Sequence, residues 1–269
     1  LESGTTRRLA PLAETSGVRG AAAPAVAHVR SRPSRTRAIG PPPNNARQLL
    51  TLDSQQPSER PDARGAALKI SVINGDLSFI RQPLLIGHYR SLRLSGTEYV
   101  VNKLVGGAME NSLKVGLYPV PPGTHQVFVN THADPNNPWQ PPRPRAVIVV
   151  GLGEEGKLSP TDLVHSVRQA TIAWAQQSAE TSADAPALIS IAATLIGSGG
   201  AGISVGQSAQ LVAQGVREAD DRLRESNESE AREREARGNP PPARRWPRIG
   251  HLYFIELYLD RASEAWRAL

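Results

Sequence analysis

The sequence predicts an α/β fold: a mixed, largely parallel sheet with helices on both faces, preceded by a disordered segment. Three observations carry the prediction. Short apolar runs bounded by turn residues alternate with helix-spaced segments over residues 66–269. The run Arg145–Leu152 (RAVIVVGL) is apolar almost throughout, as a strand covered on both faces is. A capped helix and a further apolar run follow it, and strand–helix–strand order implies a parallel pair with a right-handed crossover.

In chain order, Ala67–Asn74 (ALKISVIN) alternates as a strand and ends at the turn signal Asn74-Gly75-Asp76. Pro83–His88 (PLLIGH) reads as a short buried strand. Gly96–Leu104 has helical spacing at Tyr99, Val100 and Leu104, and Gly106-Gly107 stops it. Thr124–Asn130 (THQVFVN) is a strand, and the five prolines of Asp134–Pro144 exclude regular structure there. Ser159-Pro160-Thr161-Asp162 supplies an N-cap serine, a proline at the first helical position and an acid at the third. Leu163, Val164, Val167, Thr171 and Trp174 then mark the buried face. Ala187–Ile196 is the next strand. A helix from Gln207 runs towards Asp220–Arg237, where nearly every residue is polar; this extension, part of a charged insertion over about 224–245, is a solvated helix or disorder. Ile249–Leu259 is a late strand, and Asp260 caps a last helix.

Residues 1–65 hold ten arginines, no lysine and five acids among repeated Pro, Ala, Ser and Gly. Such a segment buries too little surface to offset its ordering entropy. It carries +5, whereas residues 66–269 carry +1, so the basic character belongs to this segment. With 27 Arg against 4 Lys and no aromatics interleaved, it is read as compositional bias, and nucleic acid is not an expected partner. The absence of cysteine excludes a disulfide framework and fits a cytoplasmic location. No run reaches the roughly 20 apolar residues of a membrane span. Residue 1 is Leu and the only methionine is Met109, so the chain is read as part of a longer protein.

The most informative stretch is Pro186–Val212: an apolar run, the glycine-rich segment Gly197, Ser198, Gly199, Gly200, Gly202 and Gly206, then an amphipathic helix. Free N–H groups at a helix N-terminus reached through glycines suit phosphate or carboxylate; the alternative is a plain strand–helix connector. Asp76 is either an acceptor for a ligand or a turn residue bonding its own backbone. His88, with Tyr89 and Arg90, lines the mouth of the cleft or packs the core.

Gly75-Asp76-Leu77, Leu85-Ile86, and Leu94-Ser95-Gly96-Thr97 before a helix ending at Gly106-Gly107 resemble the opening of a macro domain. The loop Gly197–Gly206 resembles that family's phosphate-binding loop. Arg145–Trp174 is similar to the amino-terminal domain of leucine aminopeptidases, and the combination resembles macro-like modules found beside CHAT (caspase-like) proteases in bacterial multidomain proteins. The resemblance implies a macro-like sheet. It implies that Asp76 recognises adenine, that Gly199, Gly200 and Gly202 cradle a diphosphate, and that Gly87, His88 and Tyr89 stand where the distal ribose is held. Gly96 stands in the triple-glycine turn, and Glu98 falls near the phosphates.

Gly202-Ile203-Ser204-Val205-Gly206 also matches the G-x-S-x-G pattern, with Asp220 or Asp221 and His251 following in hydrolase order. Ser204 is thus an alternative nucleophile. The six histidines never adopt a metal-ligand spacing, and His132-Ala133-Asp134 is a solvated turn in preference to a metal site. Neither metal nor cofactor is expected. The leading expectation is a non-catalytic sensing or interaction module of a larger bacterial effector. It binds a nucleotide-like anion or a partner, and acts on a neighbouring catalytic domain of the same protein. The alternatives are a degenerate macro-type hydrolase of ADP-ribose derivatives, a serine esterase through Ser204, or a purely structural oligomerisation domain.

Overall fold

The computed structural model describes residues 67–132, 137, 139–181, 186–200, 202–240 and 245–269. The arginine-rich segment 1–65 and Ala133-Asp134 of the proline-rich loop lie outside the described residues. Six strands form one sheet: β1 (Lys69–Asn74), β2 (Leu84–Tyr89), β3 (His125–Val129), β4 (Ala146–Gly153), β5 (Leu188–Ala193) and β6 (Arg248–Glu256). Their order is β1-β6-β5-β2-β4-β3, parallel throughout except for the antiparallel β3–β4 pair. The helices are α1 (Gly96–Leu104), α2 (Ala108–Lys114), α3 (Pro160–Thr181), α4 (Val205–Ala236) and α5 (Leu259–Ala268).

Alternation along the central strands builds two cores. Leu85 on β2 and Ile148 and Val150 on β4 pack beneath Leu163 and Val167 of α3 and Ala209, Val212 and Val216 of α4. Leu84 and Ile86, with Val147 and Val149, meet Val101 of α1 and Met109 of α2 on the other face. β4 is buried at seven of its eight positions, the burial that its unbroken apolar run anticipates. The Ser159 cap is formed as its spacing requires: its Oγ accepts from the Asp162 N–H at 3.1 Å and donates to the Asp162 carboxylate at 2.7 Å.

Two expectations are corrected. β4 and β5 are parallel but not neighbours, because β2 lies between them and pairs with both. α1 has the expected bounds but the opposite face inward: Tyr99 and Val100 are exposed, while Glu98, Val101 and Asn102 are buried. A polar contact decides this rotation. Glu98 is drawn to His88, and the helix turns with it. The polar extension beyond Asp220 is helix, continuing α4 to Ala236.

Candidate functional site

The five parallel strands bring their carboxyl ends to one edge of the sheet, and the chain leaves two neighbours there in opposite senses. β2 leads into α1 on one face, β5 into α4 on the other. A crevice opens where adjacent strands part in this way, and ligands of open α/β sheets bind at such points. The β2–β5 ladder pairs only Leu84↔Ala192 and Leu85↔Ala193, after which β2 continues alongside β4 alone. The glycine-rich segment follows β5 at this end of the sheet and meets Tyr89 of β2. Gly87 leaves no room for a side chain here: a Cβ would stand 2.6 Å from both Ile196 Cγ2 and Leu152 Cδ1. Gly87 is therefore a packing position.

Tyr89 of β2 faces the glycine-rich segment. Its hydroxyl donates to the Gly197 carbonyl at 3.2 Å, and a side chain at Gly200 would meet the phenol at 3.0 Å. Burial, then Glu155, pushes the Tyr89 pKa up, so the phenol keeps its proton and remains a donor. Ser198 donates to the Leu195 carbonyl at 2.6 Å and accepts from Arg261 Nη2 of α5 at 2.8 Å. Glu256, at the end of β6, holds Arg261 Nε at 3.1 Å. A cation is thus fixed beside the loop. Gly199 and Gly202 are exposed, and space around both is open.

The helix N-terminus itself is occupied from within. Ser204 is the N-cap of α4 and accepts from the Gln207 N–H at 3.2 Å, and Glu264 of α5 accepts from the Gly206 N–H at 3.2 Å. A carboxylate of the chain's own last helix stands where a bound anion was expected.

Other expected residues lie elsewhere. His88 is fully buried on the opposite face of β2 from Tyr89, its Nδ1 2.8 Å from Glu98 Oε1. The Tyr118 hydroxyl donates to the same oxygen at 3.0 Å, and its ring meets His88 edge-on. Burial first and the Glu98 carboxyl second drive the Tyr118 pKa far above its ordinary value. His88 and Glu98 therefore belong to a core triad, away from the cleft mouth and from any phosphate. Gly96 is the exposed first residue of α1, with open space around it.

Asp76 is exposed and caps the short turn Leu77–Phe79, accepting from the Ser78 N–H at 2.7 Å. Hydrogen bonding from the Ser78 side chain first, and from its N–H second, holds the Asp76 carboxyl below the usual carboxylate range. It lies just after β1, at the same edge of the sheet.

The residues of the G-x-S-x-G reading are not assembled into a triad. Besides Ser204 at its cap, Asp220 is buried against Arg248 at 2.6 Å and accepts the Ile249 N–H, and His251 bonds Ser71 at 2.8 Å. Asp221 pairs with Arg224. Sequence reasoning missed Arg261 and Glu264. Both follow from one signal, that the helix after β6 starts at the carboxyl edge of the sheet. Among the described residues no group of His, Asp and Glu is arranged to hold a metal ion, and no helix is long and apolar enough to cross a membrane.

No family model matches the sequence, and no curated protein matches it. Among solved structures, the chain is similar to the macrodomain of Mycobacterium tuberculosis DarG, at 13% identity over 70% of this chain and 98% of that one, with a TM-score of 0.44. It is similar to the Oceanobacillus iheyensis macrodomain with ADP, at 12% identity over 73% and 87% of the two chains and a TM-score of 0.47. A Trypanosoma brucei macrodomain in complex with ADP-ribose matches at 12% identity over 74% and 68%, with a TM-score of 0.44.

Proposed function

We propose that residues 66–269 are a macro-like module that binds a nucleotide-like anion, with a diphosphate as its central charge, in the crevice between β2 and β5. The observation that carries this reading is the switch point. The glycine-rich segment, Tyr89 and the Ser198–Arg261 contact converge where β2 and β5 part and send their helices to opposite faces. Backbone N–H groups around Gly199 and Gly202 and the Arg261 guanidinium supply the donors for phosphate oxygens. Asp76, at the same edge, supplies an acceptor for a base.

A binding role is favoured over a catalytic one by where the chemical groups are spent. Ser204 caps a helix, Glu98 is bonded in the core, and Glu264 takes a backbone N–H. In this reading the module senses its ligand within a larger bacterial effector and acts on a catalytic domain of the same protein, of which a CHAT-type protease is the expected kind.

Calorimetric titration of the full chain with ADP-ribose tests the reading. Saturable binding is expected, weakened at least tenfold by Gly200→Val, whose side chain meets the Tyr89 phenol. Binding that is absent, or indifferent to Gly200→Val, refutes the site. Release of ADP-ribose from an ADP-ribosylated substrate by the purified chain would favour the hydrolase reading instead.

A further inference from the structure

α4 outruns the sheet on which it packs. Its 32 residues extend about 48 Å at ~1.5 Å per residue. β5 and β6, with six and nine residues, span only about 20 and 30 Å. Its buried positions stop at Leu223, and the turns beyond overhang the amino ends of β5 and β6. The chain returns against the overhang just before β6. Asn227 Nδ2 donates to the Trp246 carbonyl at 2.9 Å, and the Trp246 N–H donates to Asn227 Oδ1 at 2.8 Å. This reciprocal pair ties the charged helix to the returning segment and leaves a cavity of about 420 Å³ between them.

The walls of that cavity combine two chemistries. Ala187, Ala231 and Trp246 contribute apolar surface, and four arginines face the same space with a single carboxylate, Glu228. Arg248 is committed to Asp220, and Arg224 lies between Asp221 at 3.0 Å and Glu228 at 3.6 Å. Arg232 gives its Nε to the Glu228 carbonyl, and neither it nor Arg245 has a carboxylate partner among the described residues. Two guanidinium groups with no carboxylate partner among the described residues therefore line the same space as an indole. Guanidinium groups pair with carboxylate, sulfonate and phosphate through parallel N–H donors, and an indole offers a flat face for a ring. The volume falls within the roughly 300–1,000 Å³ of small-molecule sites.

We infer that this cavity is a second binding site, for a small aromatic anion whose ring lies against Trp246 and whose charge is met by Arg232 and Arg245. It sits at the amino edge of the sheet, the length of β6 away from the glycine-rich loop, and does not depend on the ligand proposed there.

Fluorescence titration of the full chain with 1-anilinonaphthalene-8-sulfonate tests the inference. One saturable site is expected. Arg245→Glu and Trp246→Ala should each weaken it at least tenfold, while Gly200→Val at the other edge and Arg237→Glu outside the cavity leave it unchanged. The neutral dye N-phenyl-1-naphthylamine should bind at least tenfold more weakly. No saturable binding, binding untouched by Arg245→Glu, equal affinity for the neutral dye, or displacement by ADP-ribose would overturn the assignment. Arg245 is exposed, so this variant decides the matter even if Trp246→Ala fails to fold.

Discussion

A single carboxyl group, that of Glu98, organises one core. It accepts from Tyr118 and bonds His88, with all three residues buried. Glu98→Ala leaves two buried polar groups without a partner, and the expected loss is on the order of 3 kcal/mol in urea unfolding. Tyr118→Phe removes one hydrogen bond and should cost about 1 kcal/mol. Equal losses in the two variants would contradict this hierarchy. The triad lies beyond what local sequence encodes. His88 is recognisable as a residue of interest in PLLIGHY, and its neighbourhood in the sequence suggests a cleft. Its partner lies ten residues on, across a loop, and no local pattern says which face of a strand or helix a polar residue takes when two polar residues satisfy each other inside.

Elements defined by capping and by continuous burial were the most legible. β4 and the Ser159 cap of α3 follow directly from local sequence, since both are determined within a few residues. α1 was legible in its bounds but not in its face, because its apolar spacing at Tyr99 and Val100 competes with a buried hydrogen bond that periodicity does not encode. The last two helices meet in a way that has consequences for binding. Glu264 of α5 takes the Gly206 N–H in the first turn of α4, as an anionic ligand would. Glu264→Gln keeps the acceptor and removes the charge. The ligand proposed at Gly199 and Gly202 is an anion close to this carboxylate, and an exposed charge pair is worth roughly 0.2–1 kcal/mol, so ADP-ribose should bind about threefold more tightly to this variant. Weaker binding would show that Glu264 supports the site instead of competing with its ligand.

At the scale of the molecule, strand order places the site, and strand order is the least legible property of all. That β2 separates β4 from β5 rests on pairings between residues about 60 and 110 positions apart. The helical and strand periods describe each element but not its neighbours, so the crevice could not be located from them. The whole-molecule stability also carries a pH signature. Burial, and secondarily Lys69, hold the His251 pKa below its ordinary 6.5. The unfolded chain therefore takes up a proton near pH 6.5 that the native state refuses, so stability is undiminished above about pH 7 and falls as the pH drops below 6.5. Urea midpoints at pH 7.5 and 5.5 should differ less in His251→Gln than in the parent chain; an identical fall would assign the proton elsewhere. The proposed binding function depends on the crevice between β2 and β5. Amide hydrogen exchange of the full chain with and without ADP-ribose tests it most directly. Protection is predicted at residues 86–90 and 197–202 together, whereas protection confined to other segments, or none at saturating ligand, would contradict the assignment.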